Sequence, residues 1–155
     1  MNNSLPSRTR RRAPGPLRPA SEYQEHVALF LWRDLVVGQE PRLQWLYHCP
    51  NGGERPHRLN AKGERYSPEG QRLKAMGTHP GVLDLHLPLP VTGYHGWWGE
   101  LKARGEQPTA AQQRWLDDMQ RLGYATCVGT TWFVIALELC VYLDRGDLAR
   151  VLEAR

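Results

Sequence analysis

The sequence predicts an α/β domain in which helices flank a mixed β-sheet on both faces. Three observations predict this class. Helical and strand-like segments alternate along the chain, the helical segments have cap residues at their ends, and the strand-like segments are short apolar runs bounded by glycine and proline. The predicted order is helix, strand, long loop, helix, two strands, helix, strand and helix. At 155 residues, the chain has the size of one domain with a substantial core.

The first half of the chain contains two predicted helices and one predicted strand. Ser21 is the predicted N-cap of the first helix, which ends near Gly38 and has an apolar stripe at Val27, Phe30, Leu31 and Leu35. Residues 43–49 (LQWLYHC) form a predicted strand. Residues 50–68 are polar and glycine-containing, which indicates a long loop. A short helix over residues 69–76 follows, and then a turn over residues 77–81.

The second half contains a predicted hairpin and a strand between two helices. Residues 82–87 and 97–102 are the hairpin strands, joined by a segment with two prolines and two glycines. Thr109 is placed to cap a helix that runs to Leu122, and Gly123 is placed to end it. A strand over 124–128, a helix over 131–143 and a short helical tail after Asp147 complete the chain.

The positive charge is concentrated near the N-terminus. Five of the 20 Lys and Arg residues lie in residues 1–20, which contain no acidic residue, so the rest has 15 basic against 16 acidic residues. Residues 1–20 are also rich in proline. We therefore expect a disordered basic tail over 1–20, suited to loose phosphate contacts, and a folded domain over 21–155.

Cysteine usage and hydropathy indicate a soluble cytoplasmic protein. The three cysteines are an odd number without CxxC spacing, which argues against a disulfide framework and against a structural zinc site. The N-terminus has no apolar segment typical of a signal peptide. The best apolar run, over residues 132–143, is too short to span a bilayer.

Three polar residues of the predicted hairpin indicate a candidate metal site. Strand alternation places Asp84 on one face of its strand, and Glu100 and Lys102 on one face of the next. If the strands pair, Asp84 and Glu100 lie side by side. Opposed carboxylates repel unless a cation lies between them, and hard oxygen ligands select Mg²⁺ or Mn²⁺. Together the three residues predict metal-assisted hydrolysis of a phosphodiester.

The D…E-x-K pattern and its flanking motifs resemble the VRR-NUC family of the PD-(D/E)xK nuclease superfamily, in its short stand-alone phage or bacterial form. The resemblance covers about residues 21–143. It rests on short motifs in the same order: Ser21-Glu22, Pro50-Asn51-Gly52-Gly53 with Arg55, Leu73 to Gly77, Pro80 to Leu85, Gly93 to Gly96 before Glu100-Leu101-Lys102, Thr109 to Gln112, Trp115, and Gly123-Tyr124. It implies a restriction-endonuclease-like fold.

The resemblance also implies roles for individual residues. Asp84, Glu100 and the backbone carbonyl of Leu101 would bind the divalent ion, and Lys102 would be the catalytic lysine. The first helix would supply a further metal ligand, Glu22. Glu25, one turn away, is the alternative ligand. His26 stands where the family usually has a glutamine, four residues after the first-helix glutamate.

Other residues would support the site or contact DNA. Gln112 would support the active site or the scissile phosphate, and Asn51 and Arg55 would help form a DNA-facing wall. A basic run beside the site favours phosphate binding; its members are Arg55, Arg58, Lys62, Arg65, Arg72 and Lys74. Trp97, Trp115 and Trp132 are expected in the core, and Trp98 is the exception, because it shares a strand face with Glu100.

The sequence therefore predicts a metal-dependent deoxyribonuclease that requires Mg²⁺ or Mn²⁺ and no small-molecule cofactor. The resemblance implies a homodimer acting on branched or structured DNA, such as a Holliday junction, in the cytoplasm of a bacterial or phage-infected cell. A flap- or fork-specific nuclease is the nearest alternative. The alternative from another class is a DNA-binding module that keeps the nuclease fold without the activity.

Overall fold

The computed structural model describes residues 19–50, 58–59, 61–91 and 93–154. A four-stranded mixed sheet forms its centre, in the order β1-β4-β5-β6. β1 pairs antiparallel with β4, β4 antiparallel with β5, and β5 parallel with β6. The strands are β1 (Tyr47–His48), β2 (Arg58–Leu59), β3 (Arg65–Tyr66), β4 (Leu85–Leu87), β5 (Trp97–Leu101) and β6 (Ala125–Gly129).

Short polar side chains cap the principal helices, and two of these caps, Ser21 and Thr109, are predicted from the sequence. Ser21 and Thr109 each form a reciprocal capping box with the glutamine three residues later, and Thr131 accepts a hydrogen bond from the Val134 N–H. These caps satisfy N–H groups that the first helical turn leaves unpaired. The helices are α1 (Glu22–Val36), α2 (Pro68–Ala75), α3 (Ala110–Arg121), α4 (Trp132–Tyr142) and α5 (Gly146–Glu153).

Helices lie on both faces of the sheet, which confirms the predicted fold class. On one face, Leu85 and Leu87 of β4 and Trp97 of β5 pack with α1, α4 and α5 in the main hydrophobic core. On the other face, Trp98 of β5 contacts Trp115 of α3, with ring centroids 5.6 Å apart. Polar residues of β5 that alternate with the core residues therefore point towards α3. Among the described residues, none of the helices is long and apolar enough to cross a membrane.

The strand predicted over residues 43–49 is wrong in its first half. Residues Pro41–Trp45 form a 3₁₀ helix, and only Tyr47–His48 join the sheet. Pro41 fixes a helical backbone angle at the first position of this turn, and the Glu40 side chain accepts a hydrogen bond from the Arg42 N–H at 3.2 Å. Leu43 and Leu46 are buried, so the helical turn buries the apolar side chains that had suggested a strand.

The apolar stripe predicted for α1 is mostly exposed, and only Phe30 of it packs, half-buried, against the core. Leu29 and Trp32 are the buried residues of this helix, whereas Leu31 and Leu35 are 60% and 76% exposed. Because α1 has apolar residues around most of its circumference, periodicity did not identify the face that packs against α4. Val27, Phe30 and Leu31 of the stripe instead border a groove beside the candidate site.

The predicted long loop contains a second, small sheet. β2 and β3 pair antiparallel, with Arg58 opposite Tyr66 and Leu59 opposite Arg65. Each strand has only two residues and an exposed or half-exposed pattern, so apolar alternation could not mark it. Residues 51–57 and 60 of this segment lie outside the described part, as does most of the predicted tail.

The predicted central hairpin is present, with a shorter first strand. β4 begins at Leu85 rather than at residue 82, and its register with β5 pairs Leu85 with Gly99 and His86 with Trp98. The imidazole of His86 stacks on the indole of Trp98 at 3.8 Å between centroids. The same register, extended by one residue, brings Asp84 opposite Glu100 where the first strand begins.

Candidate active site

The candidate site lies at the end of the β4–β5 hairpin where β4 begins. The Asp84 N–H donates a hydrogen bond to Glu100 Oε2 at 3.1 Å, so backbone and side chain tie the two residues together. Asp84 lies just outside regular strand structure, and its carboxylate is 16% exposed. The structure therefore brings together the two carboxylates that the sequence singled out.

Glu100 is a fully buried carboxylate, with 0% exposure. Its Oε1 accepts hydrogen bonds from the Lys102 ammonium, at 2.6 Å, and from the Gln112 amide. Burial raises the pKa of Glu100 to about 7; the Lys102 contact opposes this rise, and the neighbouring Asp84 charge adds to it. A buried acid with these partners carries a large desolvation cost, which is typical of a functional position rather than of a core-stabilising one.

Lys102 follows β5 directly, and its backbone extends the parallel ladder. Its N–H donates to the Gly129 carbonyl at 2.9 Å, which fixes the side chain beside Glu100. Burial lowers the pKa of Lys102, but the hydrogen bond to Glu100 and the charges of Glu100, Glu22 and Asp84 outweigh it, so the pKa is raised. The ammonium therefore stays protonated and faces three carboxylates.

Gln112 connects α3 to the site through both ends of its amide. Its Oε1 accepts from the Thr109 N–H at 2.9 Å in the capping box, while its Nε2 donates to Glu100. The first turn of α3 thus orients the buried carboxylate. Gly81 permits this approach: it has φ +89°, and a Cβ there would lie 2.5 Å from the Ala111 carbonyl carbon and oxygen.

The first turns of α1 supply two more polar groups on one helix face. Glu22 and His26 are four residues apart, and one donor atom from each lies within 4.8 Å of the others and of an Asp84 carboxylate oxygen. Glu25 is engaged elsewhere, because its Oε2 accepts a hydrogen bond from the Trp132 N–H at the start of α4, at 2.8 Å. Of the two glutamates left open by the sequence, the structure brings Glu22 to Asp84.

Two histidines beside Asp84 were given no role from the sequence. His26 Nε2 lies 3.6 Å from Asp84 Oδ2, and His48 Nδ1 lies 3.0 Å from the Asp84 carbonyl oxygen. Their rings meet edge to face, with centroids 5.0 Å apart. The spacing of Glu22 and His26 places both on one face of α1, but the contact of His26 with Asp84 depends on how α1 packs on the sheet. The contact of His48 depends on the pairing of β1 with β4, which the sequence does not specify.

A groove of about 610 Å³ opens beside these groups. Its polar end is lined by Glu22, His26, Asp84 and His48. Its apolar wall is formed by Tyr23, Val27, Phe30 and Leu31 of α1. Such a groove gives solvent and an extended ligand access to the Asp84 carboxylate.

The predicted DNA-contacting residues are only partly described. Arg58 lies in β2, Lys62 follows it in the turn before β3, and Lys74 lies in α2; all three side chains are exposed, as are Arg65 and Arg72. Asn51 and Arg55 lie outside the described residues. Contact of these residues with nucleic acid remains a prediction.

Comparison with known proteins identifies the fold. No family model matches the chain, and no curated protein matches it. Among solved structures, a VRR_NUC domain protein superposes with a TM-score of 0.63, at 20% sequence identity, over 83% of this chain and 92% of that one. The chain thus has the VRR-NUC fold, a restriction-endonuclease-like α/β architecture, as its sequence motifs predict.

Proposed function

We propose that this chain, with its VRR-NUC fold, is a divalent-metal-dependent endonuclease that hydrolyses DNA phosphodiester bonds. The observation that carries the proposal is the convergence of Asp84, Glu100 and Lys102 at one end of the hairpin, with Glu22 supplied by α1. Three carboxylates around one lysine leave excess negative charge, which a bound cation would compensate.

The donor set fits a divalent ion. Glu22, His26 and Asp84 offer donor atoms within 4.8 Å of one another. Glu22 and Asp84 also line the groove, from which an ion could reach their carboxylates. Glu22, Asp84, Glu100 and the Leu101 carbonyl would hold Mg²⁺ or Mn²⁺. The bound ion would supply Lewis-acid stabilisation of the negative charge that develops on the phosphate.

The side chains around this set have separable tasks. The protonated Lys102 can donate a hydrogen bond to an attacking water, or offset negative charge on the phosphate, and it cannot accept a proton while its pKa is raised. Gln112 holds the orientation of the Glu100 carboxylate through its amide N–H. Gln112 therefore acts as a positioning residue, and Lys102 as the group expected to face the substrate.

The proposed substrate is branched or structured DNA such as a four-way junction, and the proposed assembly is a homodimer. Both proposals are based on the resemblance of the sequence motifs to the VRR-NUC family. A two-fold symmetric junction presents two equivalent scissile strands, which a two-fold symmetric dimer matches with two sites. Arg58, Lys62 and Lys74, together with Asn51 and Arg55, are the proposed contacts to the phosphate backbone.

The test compares three proteins on end-labelled four-way junction, flap and linear duplex DNA, with Mg²⁺, Mn²⁺ or a chelator. The proteins are wild type, Lys102→Ala and Arg150→Ala; Arg150 is an exposed cation on α5 and serves as the matched charge control. We expect metal-dependent cutting that Lys102→Ala slows by roughly 10²–10³-fold and that Arg150→Ala leaves unchanged.

Each alternative has its own signature in this experiment. Preferential cutting of the flap DNA would favour the flap- or fork-specific nuclease. Tight DNA binding without cutting under any metal condition would contradict the enzyme proposal and favour an inactive binding module. Equal cutting by wild type and Lys102→Ala would contradict the assignment of Lys102.

A further inference from the structure

His26 offers the candidate site a nitrogen donor. The separation of its Nε2 from Asp84 Oδ2, 3.6 Å, exceeds the range of about 2.7–3.2 Å expected for a hydrogen bond. The imidazole therefore faces the carboxylate without forming a direct hydrogen bond to it. Two donors at this separation can instead share a cation, because donors bound at about 2.1 Å to one ion lie roughly 3–4 Å apart.

The surroundings of His26 hold its ring in this orientation. The ring packs edge to face on His48, with centroids 5.0 Å apart, and the side chain is only 16% exposed. Its Nδ1 is buried and has no hydrogen-bond partner among the described residues. No hydrogen bond to the described part of the chain thus accounts for the position of the imidazole, whereas Glu22, His26 and Asp84 form the donor cluster.

Glu100 is more heavily engaged than these three groups. Its Oε1 is shared between Lys102 and Gln112, and its Oε2 accepts from the Asp84 N–H. Glu22, His26 and Asp84 line the open groove, whereas Glu100 has no exposure. An ion that enters from the groove therefore meets a mixed nitrogen and oxygen donor set.

We infer that His26 is an inner ligand of the divalent ion and that it biases the site towards transition ions such as Mn²⁺ over Mg²⁺. This inference rests on the proposed metal-dependent function. Mg²⁺ selects oxygen ligands and retains several waters, while imidazole favours first-row transition ions. A site with a histidine ligand should therefore bind Mn²⁺ in preference to Mg²⁺ more strongly than a site with oxygen ligands alone.

Mn²⁺ itself is the probe, because it is paramagnetic and reports on nitrogen in its inner shell. Electron spin-echo envelope modulation of Mn²⁺ bound to wild type should show coupling to ¹⁴N, and the pattern should change to that of ¹⁵N when the protein carries [¹⁵N]histidine. His26→Gln should lose the coupling. His95→Gln is the matched control and should keep it, since His95 is exposed and precedes β5, at the opposite end of the strand from Glu100.

Calorimetric titration of the same proteins gives a second readout that needs no DNA. We expect His26→Gln to bind Mn²⁺ about tenfold more weakly while its Mg²⁺ affinity changes by less than about threefold. His26→Asn serves if the first variant unfolds, and the wild-type spectrum tests the inference without any variant.

The outcomes distinguish this inference from the proposed function. Mn²⁺ that binds wild type without histidine coupling, or an unchanged ratio of Mn²⁺ to Mg²⁺ affinity in His26→Gln, would overturn the role of His26 and leave the proposed nuclease standing. Failure of wild type to bind either ion in the presence or absence of DNA would overturn both.

Discussion

Glu100 illustrates how residue-level chemistry distinguishes a carboxylate suited to binding a cation from one that stabilises the fold. Glu100 and Glu40 are both buried, but their pKa values shift in opposite directions. Glu40 has two arginine partners and a pKa lowered to about 2, whereas Glu100 has one lysine, an amide and a neighbouring carboxylate, and a pKa raised to about 7. A compensated carboxylate stabilises the fold, while an under-compensated one is suited to binding a cation.

The two glutamates of the first α1 turn provide a matched test at this scale. Glu22→Gln should weaken metal binding and slow cleavage by at least roughly tenfold, because it removes a negative donor that faces Asp84. Glu25→Gln should leave both nearly unchanged and lower the free energy of unfolding by about 0.5–1 kcal/mol, because Glu25 carries its charge at the N-terminus of α4. Metal titration and urea unfolding of both variants would measure this. Weaker metal binding in Glu25→Gln, with unchanged metal binding in Glu22→Gln, would contradict the choice of Glu22 as the ligand.

The positions of some site residues could be predicted from the sequence because their contacts follow local rules. The positions of others could not, because their contacts join distant parts of the chain. Asp84, Glu100 and Lys102 could be placed together because strand alternation and hairpin pairing are local rules. Glu22 could not be separated from Glu25, since the partner of Glu25 is the N–H of Trp132, 107 residues away. The contacts of His26 and His48 with Asp84 likewise depend on tertiary packing.

At the scale of elements, the site depends on how closely the Asp84 segment approaches the start of α3. Gly81 makes this approach at φ +89°, with the Ala111 backbone 2.5 Å from the position of a Cβ. Gly93 has the same φ of +89°, with nothing within 4 Å of its Cβ position. The two glycines therefore separate the cost of the backbone conformation from the cost of the contact.

Alanine substitution at these two glycines should have unequal effects. Gly93→Ala should cost about 1 kcal/mol of stability from the left-handed backbone angle alone and should leave cleavage intact. Gly81→Ala should cost at least about 2 kcal/mol and also slow cleavage, because the clash with the Ala111 backbone displaces the segment that carries Asp84 relative to α3 and Glu100. Thermal unfolding and cleavage assays of both variants test this. Similar losses at the two positions would show that contact with Ala111 is unimportant.

The helices and strands with strong local sequence signals were predictable. Those for which two structures or two packing faces suit the same sequence were not. Capping residues marked the starts of α1 and α3. The 3₁₀ helix over Pro41–Trp45 replaced a predicted strand because apolar spacing in so short a run suits either structure. The buried face of α1 was missed because two apolar faces compete, and only the packing of α4 decides between them.

At the scale of the whole molecule, a charged network joins two segments that are far apart in the sequence. Glu40 binds Arg42 at 2.7 Å and Arg145 at 2.9 Å, and Arg42 also donates to the Leu143 carbonyl. The hydrogen bonds from Arg42 are the largest cause that lowers the pKa of Glu40; burial opposes them, and the Arg145 contact assists. The network joins the segment after α1 to the turn between α4 and α5.

This network predicts a stability difference that depends on pH. Because the pKa of Glu40 falls from an ordinary value of 4.5 to about 2, its contribution is fully present above about pH 4.5 and is lost as the pH falls towards 2. Glu40→Gln should therefore lower the free energy of unfolding by roughly 2–3 kcal/mol at neutral pH, and by progressively less in acid. Urea unfolding between pH 7 and pH 2.5 measures the difference. A deficit that is constant with pH would contradict the ionic origin.

The predicted basic tail gives a second test at this scale. Deletion of residues 1–20 removes five arginines and no acidic residue, so it should weaken DNA binding and flatten the dependence of affinity on salt. Metal affinity should not change. Fluorescence anisotropy with labelled DNA at several salt concentrations measures the DNA affinity and its dependence on salt. Equal affinity with and without the tail at low salt would show that it makes no phosphate contact.

The central claim is that the Asp84 end of the hairpin hydrolyses DNA with a divalent ion, and Asp84→Asn tests it most directly. The substitution removes the carboxylate charge but keeps the backbone N–H that binds Glu100. Single-turnover cleavage of a labelled four-way junction should show metal-dependent cutting by wild type, and cutting slowed by at least roughly 10²-fold in a folded Asp84→Asn variant that still binds the junction. Equal cutting by the two proteins, or wild-type cutting that persists in a chelator, would contradict the account.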